Sequence, residues 1–242
     1  MRWGHRKLWA LTLVVVAVVL IVGTLLFGID VTGSVQDTAE DLALDQWISA
    51  HHVVWLDPVA LGINNLLAPA GALLILGGMA VFAAIWRSVP HALWLLATAA
   101  GGWGTVLVLK YLVARPRPLA DALANPMVTE TGRDSFPSGH TSFAVVLAIC
   151  VIVLVATSPT RSVRGLTGWV GVLALLFALV VAASRLYVGA HYISDVAASF
   201  SATLAGCMLV AAVWVWRHGA GGHPREAPIP ASRTQHKERV DS

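Results

Sequence analysis

The chain has 242 residues, of which 57% are hydrophobic and only 12% are charged, and its mean hydropathy is +0.74. Soluble domains carry about 25% charged residues, so this composition excludes an ordinary soluble protein and predicts an all-α protein that crosses a membrane several times. The net charge of +3 comes from scattered basic residues, which argues against a nucleic-acid partner. The two cysteines, Cys150 and Cys207, lie inside apolar segments and are interpreted as packing residues, with no disulfide framework or metal site.

Six apolar segments predict a six-span transmembrane helical bundle. They cover residues 8–27, 60–86, 92–112, 139–157, 166–186 and 192–216. The first segment is longer than the core of about 7–15 residues in a usual signal peptide, and no small-residue cleavage site follows it, so it is interpreted as a span. The predicted organisation is an N-terminal segment at 1–7, the bundle at 8–216 and a polar, disordered tail at 217–242.

Residues 28–58 are polar and acidic and contain no lysine or arginine. Four apolar residues within them predict a short helix that either lies on the membrane surface or is an ordinary solvated loop helix: Leu42, Leu44, Trp47 and Ile48. At the start of the second span, Asn64 and Asn65 predict interhelical hydrogen bonds. In the third span, three glycines predict close contact with a neighbouring helix: Gly101, Gly102 and Gly104.

An even number of spans puts both chain termini on one side of the membrane. The distribution of lysine and arginine predicts that this side is the cytoplasm. Five basic residues break that rule and fall at the opposite face: Lys110, Arg115, Arg117, Arg133 and Arg185. Such residues are costly near a bilayer unless they bind something, so they predict an anion site, although Arg115 and Arg133 are better interpreted as solvated or lipid-facing cations.

Two of the three polar clusters on this face surround the long loop at residues 113–138. Lys110 lies in the last turn of the third span, and the Arg-Pro-Arg-Pro run after it cannot continue a helix, so Arg117 is held beyond the helix end. The two cations can then hold one anion. Ser138 is a good N-cap for the fourth span, and the first-turn amides that follow at Gly139 favour an anion beside His140.

The third cluster joins Arg185, His191 and Asp195 at the junction of the last two spans. If the helix begins at Tyr192, the imidazole and the carboxylate lie one turn apart, so the carboxylate can hold one ring nitrogen and leave the other free to attack. Arg185 can bend back across a short turn that contains a glycine. A helix-end histidine capped by an acid, with an arginine at the membrane boundary, is the structural alternative.

Two histidines and one acid could also bind a metal. Three fixed cations, Lys110, Arg117 and Arg185, outweigh the single charge of Asp195, so the cluster is expected to repel a metal cation and attract a phosphate or a similar oxyanion.

The three motifs together, Lys-x6-Arg-Pro, Pro-Ser-Gly-His and Ser-Arg-x5-His-x3-Asp, resemble the signature of the type-2 phosphatidic acid phosphatase superfamily, which includes the vanadium-dependent haloperoxidases. The resemblance extends over nearly the whole chain and implies that superfamily's helical fold. It also implies that His191 is a nucleophile that forms a phosphohistidine, that Asp195 orients it, and that His140 protonates the leaving group and then activates water. The residues expected to hold the phosphoryl oxygens are Lys110, Arg117, Ser138, Gly139 and Arg185.

No metal or other cofactor is expected, and the expected partners are a membrane lipid phosphate and the bilayer, with the oligomeric state open. Undecaprenyl diphosphate, phosphatidic acid and phosphatidylglycerophosphate all fit as substrates. A lipid phosphotransferase would use the same site. A transporter is a weaker alternative because the span interiors carry almost no ionisable residues, and a soluble haloperoxidase does not fit six spans.

Overall fold

The computed structural model describes residues 3–219, and this part of the chain contains α-helices and one short 3-10 turn but no strand. The helices, in chain order, are α1 (Trp3–Gly33), α2 (Val35–Ala50), α3 (Asp57–Leu66), α4 (Pro69–Trp86), α5 (Val89–Val113), α6 (Gly139–Ala156), α7 (Arg161–Gly165), α8 (Thr167–Tyr187) and α9 (Ile193–Gly219). The 3-10 turn, Ala120–Ala122, lies in the long loop between α5 and α6.

Within residues 3–219, six helices are long and apolar enough to cross a membrane, which confirms the predicted all-α, six-span architecture. They are α1, α4, α5, α6, α8 and α9. α9 packs along both α1 and α5, and α6 packs along α8 and also contacts α5 and α9. α6 and α9 therefore form the interior of the bundle, and the ends of these two helices are the natural place for a buried site.

The predicted second span is wrong in one respect, because residues 60–86 belong to two helices. α3 ends at Leu66, and Pro69 opens α4. A proline has no N–H to donate to the preceding turn, so it starts a new helix more easily than it continues an old one. α3 is therefore a separate helix that packs against α8, and it brings Asn64 toward the site.

The ends of the chain also differ from the prediction. α1 begins at Trp3 and includes most of the predicted separate N-terminal segment at 1–7. α9 continues to Gly219, so the first residues of the predicted tail are helical. The rest of that tail, residues 220–242, lies outside the described residues, and its predicted disorder stays a prediction.

The helix predicted in the acidic segment is present as α2, but its buried side is polar. Asp41, Asp45 and Ser49 recur every four residues and are all buried, whereas the indole of Trp47 is 61% exposed. Ser49 accepts a hydrogen bond from the backbone N–H of Asn125 in the long loop. α2 therefore presents an acidic stripe to the protein, which neither of the two sequence interpretations predicted.

The close contact predicted for the glycines of α5 is confirmed at two of three positions. A Cβ at Gly101 would lie 2.5 Å from Val210 and 2.9 Å from the carbonyl oxygen of Gly206 in α9, and one at Gly102 would lie 2.8 Å from Val146 in α6. No atom lies within 4 Å of a Cβ built at Gly104, so the prediction is wrong there. The first two glycines let α5 approach the interior helices closely.

Candidate active site

The three polar clusters predicted from the sequence meet at one end of the bundle. α5 and α8 end there, and α6 and α9 begin there. A Cβ built at Gly139, the first residue of α6, would lie 3.8 Å from the side chain of Lys110 in α5. The long loop covers this end and folds back on itself, because Ser135 N–H donates to Arg115 C=O at 3.0 Å and Arg117 N–H donates to Gly132 C=O at 3.3 Å.

His191 is buried at the centre of this end and lies in the turn before α9 rather than in the helix. Its Nδ1 is 3.6 Å from Asp195 Oδ2, an electrostatic contact longer than a hydrogen bond. Ser135 Oγ lies between the two groups, 3.5 Å from His191 Nδ1 and 2.5 Å from Asp195 Oδ2. Nδ1 thus faces the carboxylate side, as predicted, and the other ring nitrogen faces elsewhere.

The turn that carries His191 depends on a glycine. Gly189 has a φ of 75°, a left-handed conformation that residues with a Cβ rarely adopt, and a Cβ there would meet Leu123 at 2.5 Å. This turn lets the chain leave α8 and enter α9 within five residues, so it brings His191 back over the end of α8, where Arg185 lies.

Asp195 is held from several directions. It accepts hydrogen bonds from Arg115 Nη1 at 2.8 Å, from Ser135 Oγ and from the backbone N–H of Tyr192 at 3.0 Å. The expectation that Arg115 is a solvated or lipid-facing cation is wrong. Its side chain is 1% exposed, and Nη2 donates to Asp41 Oδ2 at 2.8 Å, so α2 contributes the second acid of this arginine. The guanidinium also lies 4.2 Å from the ring centroid of Tyr192.

Arg117 faces the other side of the imidazole. Its Nη1 lies 3.4 Å from His191 Nε2 and donates to the carbonyl of Ala190 at 3.1 Å. Nε and Nη2 donate to the two carboxylate oxygens of Asp134 at 2.9 and 3.2 Å. The predicted anion-binding arginine therefore lies beside the ring nitrogen that faces away from Asp195.

Arg185 is completely buried and does not contact the histidine directly. Its Nη1 donates to Asn64 Oδ1, and its Nη2 donates to Glu130 Oε1 at 2.9 Å. The other oxygen of Glu130 forms an ion pair with Nη1 of Arg117. One carboxylate from the long loop thus joins the two arginines that were predicted to hold a phosphoryl group.

The start of α6 has the predicted cap, with one difference. The Ser138 side chain accepts from Thr141 N–H, but the N–H of Ser138 itself donates to the carbonyl of Asp195 at 3.3 Å. The next amides, of Gly139 and His140, lie in the first turn, where no intrahelical acceptor exists. His140 Nε2 is 3.1 Å from the carbonyl oxygen of Asn64, so Asn64 links His140 to Arg185 and confirms the predicted interhelical bonding at this position.

The environment of His191 disfavours its protonated form. Burial, together with the nearby cations of Lys110, Arg117 and Arg185, lowers the pKa of this imidazole to about 3 against the opposing effect of the Asp195 carboxylate. His191 is therefore neutral near pH 7 and has a lone pair on one ring nitrogen.

The predicted excess of positive charge is not present in this structure. Arg115, Arg117 and Arg185 each have a carboxylate partner, and Lys110 donates to the carbonyl of Asp134. Arg133 is exposed on the loop. Ser194 accepts a hydrogen bond from Arg115 Nη1 and donates one to Asp41 Oδ2. Sequence reasoning missed the groups that balance the charge or hold the predicted site residues: Asp41, Glu130, Asp134, Ser135 and Ser194. One sequence feature could have indicated these partners: the acidic segment at residues 28–58 and the cationic cluster are predicted on the same face of the membrane.

Comparisons with known proteins agree with this architecture. Residues 91–220 match the PAP2 superfamily. Over 159 residues the chain is 30% identical to the undecaprenyl-diphosphatase BcrC of Bacillus subtilis (strain 168), a match that covers 62% of this chain and 70% of that protein.

Two crystal structures have the same fold. A transmembrane PAP2 type phosphatidylglycerolphosphate phosphatase from Bacillus subtilis is similar with a TM-score of 0.69 at 26% identity, covering 81% of this chain and 94% of that one. LpxE of Aquifex aeolicus is similar with a TM-score of 0.55 at 22% identity, covering 70% and 93%. The superfamily match spans all three motifs, and the chain therefore belongs to the PAP2 superfamily.

Proposed function

We propose that this membrane lipid phosphatase hydrolyses a lipid phosphate or diphosphate at the extracytoplasmic face through a covalent phosphohistidine on His191. One observation carries the proposal. A buried, neutral imidazole has Nδ1 turned toward Asp195 and Ser135, while Nε2 lies 3.4 Å from a guanidinium nitrogen of Arg117. A phosphoryl group bound by that guanidinium would lie against the lone pair of Nε2.

In the first step, Nε2 of His191 attacks phosphorus in line with the leaving oxygen. The P–N bond forms as the P–O bond to the lipid alcohol, or to the inner phosphate of a diphosphate, breaks. His140 gives its proton to the leaving oxygen. The negative charge of the transferring group is balanced by Lys110, Arg117 and Arg185, with the free first-turn amides of α6, so the cations come from the protein and no metal is required.

In the second step, water attacks the phosphohistidine. His140, which has given up its proton, takes one from that water, the P–N bond breaks and orthophosphate leaves. Asp195 is the positioning residue for His191 in both steps. Its bonds to Arg115, Ser135 and the Tyr192 amide support this role because they fix the carboxylate in one orientation.

The position of the site at the ends of four spans supports a substrate phosphate at the membrane–water boundary, with the lipid tail in the bilayer. The lysine and arginine distribution supports the extracytoplasmic face and cytoplasmic termini. The names of two relatives, an undecaprenyl-diphosphatase and a phosphatidylglycerolphosphate phosphatase, support undecaprenyl diphosphate and phosphatidylglycerophosphate as first candidates, with phosphatidic acid as a third.

The test uses the full chain purified in detergent with a chelator present. We expect orthophosphate release from at least one of the three lipids, and rapid acid-free denaturation during turnover of a ³²P-labelled substrate should trap label that is stable in alkali and lost in acid, as a phosphohistidine is. His191→Ala should neither turn over nor become labelled. His140→Ala should become labelled slowly and also release the label slowly, since His191 remains but His140 acts in both steps. Labelling of His191→Ala, or complete loss of activity with the chelator, would overturn the mechanism.

A further inference from the structure

The carboxylate of Glu130 occupies a place where an anion is needed for the proposed chemistry. One oxygen pairs with Arg117 and the other accepts from Arg185 at 2.9 Å, so a single carboxylate joins both guanidinium groups. Guanidinium groups bind carboxylates and phosphates through the same paired N–H geometry. Glu130 thus makes the contacts that two phosphoryl oxygens would make.

The same carboxylate lies next to the proposed nucleophile. Nη1 of Arg117 contacts both Glu130 Oε2 and, at 3.4 Å, His191 Nε2. A phosphoryl group close enough to Nε2 for attack must therefore take the Arg117 contact that Glu130 holds. The substrate and Glu130 cannot both contact Arg117 Nη1 at the same time.

Glu130 can leave without disturbing the arginines. It lies in a part of the long loop without regular structure, and its side chain is 33% exposed, compared with 0% for Arg185. When Glu130 leaves, Arg117 keeps the two bonds to Asp134 and the one to Ala190, and Arg185 keeps the bond to Asn64. The two arginines are therefore held in place by other groups, and Glu130 fills the anion position between them.

We propose that Glu130 is a built-in competitor that makes the site select phosphoryl groups by their charge. This inference rests on the proposed function. A phosphodiester headgroup of the surrounding bilayer carries one negative charge on its phosphate, so replacing Glu130 exchanges one monoanion for another with no electrostatic gain. A terminal phosphate carries about −1.5 to −2 at pH 7, so it is attracted more strongly by the two guanidinium groups and displaces the carboxylate. The bulk phospholipids are rejected although they are present in great excess.

The experiment compares wild type with Glu130→Gln, which keeps the shape of the side chain and removes its charge. Orthophosphate binding to the purified full chain is measured by calorimetry, and hydrolysis is measured in mixed micelles that contain increasing phosphatidylglycerol as the phosphodiester. We expect Glu130→Gln to bind orthophosphate about tenfold more tightly, because a charged hydrogen-bonding competitor is gone. Phosphatidylglycerol should inhibit this variant and leave wild type unaffected, relative to an equal mole fraction of a neutral galactolipid.

Two variants act as controls. Glu40→Gln removes the same charge from an exposed position on α2 and should behave as wild type in both assays. Glu130→Ala repeats the main comparison with a different side chain, in case one replacement alters the loop. Melting temperatures in the same detergent identify a variant that is not folded.

The opposite results would overturn the proposal. If Glu130 supports the arginines, its neutral variant will bind orthophosphate more weakly and show a higher KM with a lower kcat. Equal sensitivity of wild type and Glu130→Gln to phosphatidylglycerol would also reject charge selection. The orthophosphate measurement needs no turnover, so it decides the role of Glu130 even if wild type hydrolyses none of the lipids, a result that would count against the proposed function alone.

Discussion

The two sides of His191 are held by ion pairs of different kinds. On the Asp195 side, the inner cluster of Asp41, Arg115, Ser194 and Asp195 is buried, and the Arg115 and Asp195 side chains are 1% and 0% exposed. On the Arg117 side, the outer cluster of Arg117, Glu130, Asp134 and Arg185 uses acids that are 33% and 55% exposed. The inner acids come from helices, whereas the outer acids come from the long loop.

This difference separates a permanent arrangement from an exchangeable one. Removing one partner of a buried ion pair leaves an uncompensated charge in a low-dielectric site, so the inner cluster resists rearrangement. Ion pairs with an exposed partner contribute little net free energy, because water solvates the acid nearly as well when it leaves. The inner cluster can therefore fix the orientation of His191, the proposed nucleophile, while the acids of the outer cluster are held less firmly.

The largest effect is expected when the inner cluster is broken. Arg115→Met removes the cation between two buried carboxylates, Asp41 and Asp195, and should lower the free energy of unfolding by about 3–5 kcal/mol. It should also lower kcat, since Asp195 loses a bond that orients it. The measurement is unfolding in mixed micelles with increasing SDS, together with steady-state kinetics on the best lipid substrate.

A double variant provides the control for Arg115. Arg115→Met combined with Asp41→Asn removes one of the two stranded charges and should recover part of the lost stability. If Asp41→Asn lowers the free energy of unfolding by the same amount in wild type and in Arg115→Met, Asp41 and Arg115 are not coupled. That result would contradict the distinction between the two clusters.

A smaller effect is expected at Asp45, a buried acid on α2 one turn beyond Asp41. Its side-chain oxygens have no hydrogen-bond partner within the described residues, and burial, followed by the charges of Asp41 and Asp195, raises its pKa to about 8. The folded protein thus retains this proton at pH values where the unfolded chain, with a pKa of 3.8, has released it. The contribution of protonated Asp45 to the free energy of unfolding is therefore fully present below about pH 4, and it is lost as the pH rises toward 8.

Asp45→Asn should remove this pH dependence. We expect the variant to be more stable than wild type by about 2 kcal/mol at pH 8 and to differ much less from it at pH 4.5, where Asp45 is neutral in the folded protein. Melting temperatures of both proteins across this pH range are the measurement. An equal difference at both pH values would show that the side chain acts through packing and not through its charge.

The smallest effect is expected at Asp134 in the outer cluster. Hydrogen bonds from Arg117 lower the pKa of Asp134, so the pair is charged at neutral pH, but the acid is 55% exposed. Asp134→Asn should change the free energy of unfolding by less than about 1 kcal/mol, and the change should shrink in 0.5 M salt. A loss as large as that of Arg115→Met would remove the distinction between the two clusters.

Much of the fold could be predicted from the sequence because it depends on local properties. Apolar runs long enough to cross a bilayer specify the six spans, and the Arg-Pro-Arg-Pro run and Ser138 specify where α5 ends and α6 begins. The order of the three motifs along spans that alternate in direction brings Lys110, Gly139 and His191 to one end of the bundle. The break within the predicted second span has a local cause as well, because Pro69 opens α4 although apolar residues surround it.

The ion-pair partners required the tertiary structure. Asp41 is 74 residues from Arg115, and Glu130 is 55 residues from Arg185, so no periodicity or spacing relates them. The sequence by itself determined that this is a six-span PAP2-type chain with cations and a histidine at one face. Only the packing of α2 and the long loop over that face decided which acids neutralise those cations. The reason is physical: a local pattern fixes where each helix begins and ends, whereas the partner of a buried charge depends on which distant segment excludes water from it.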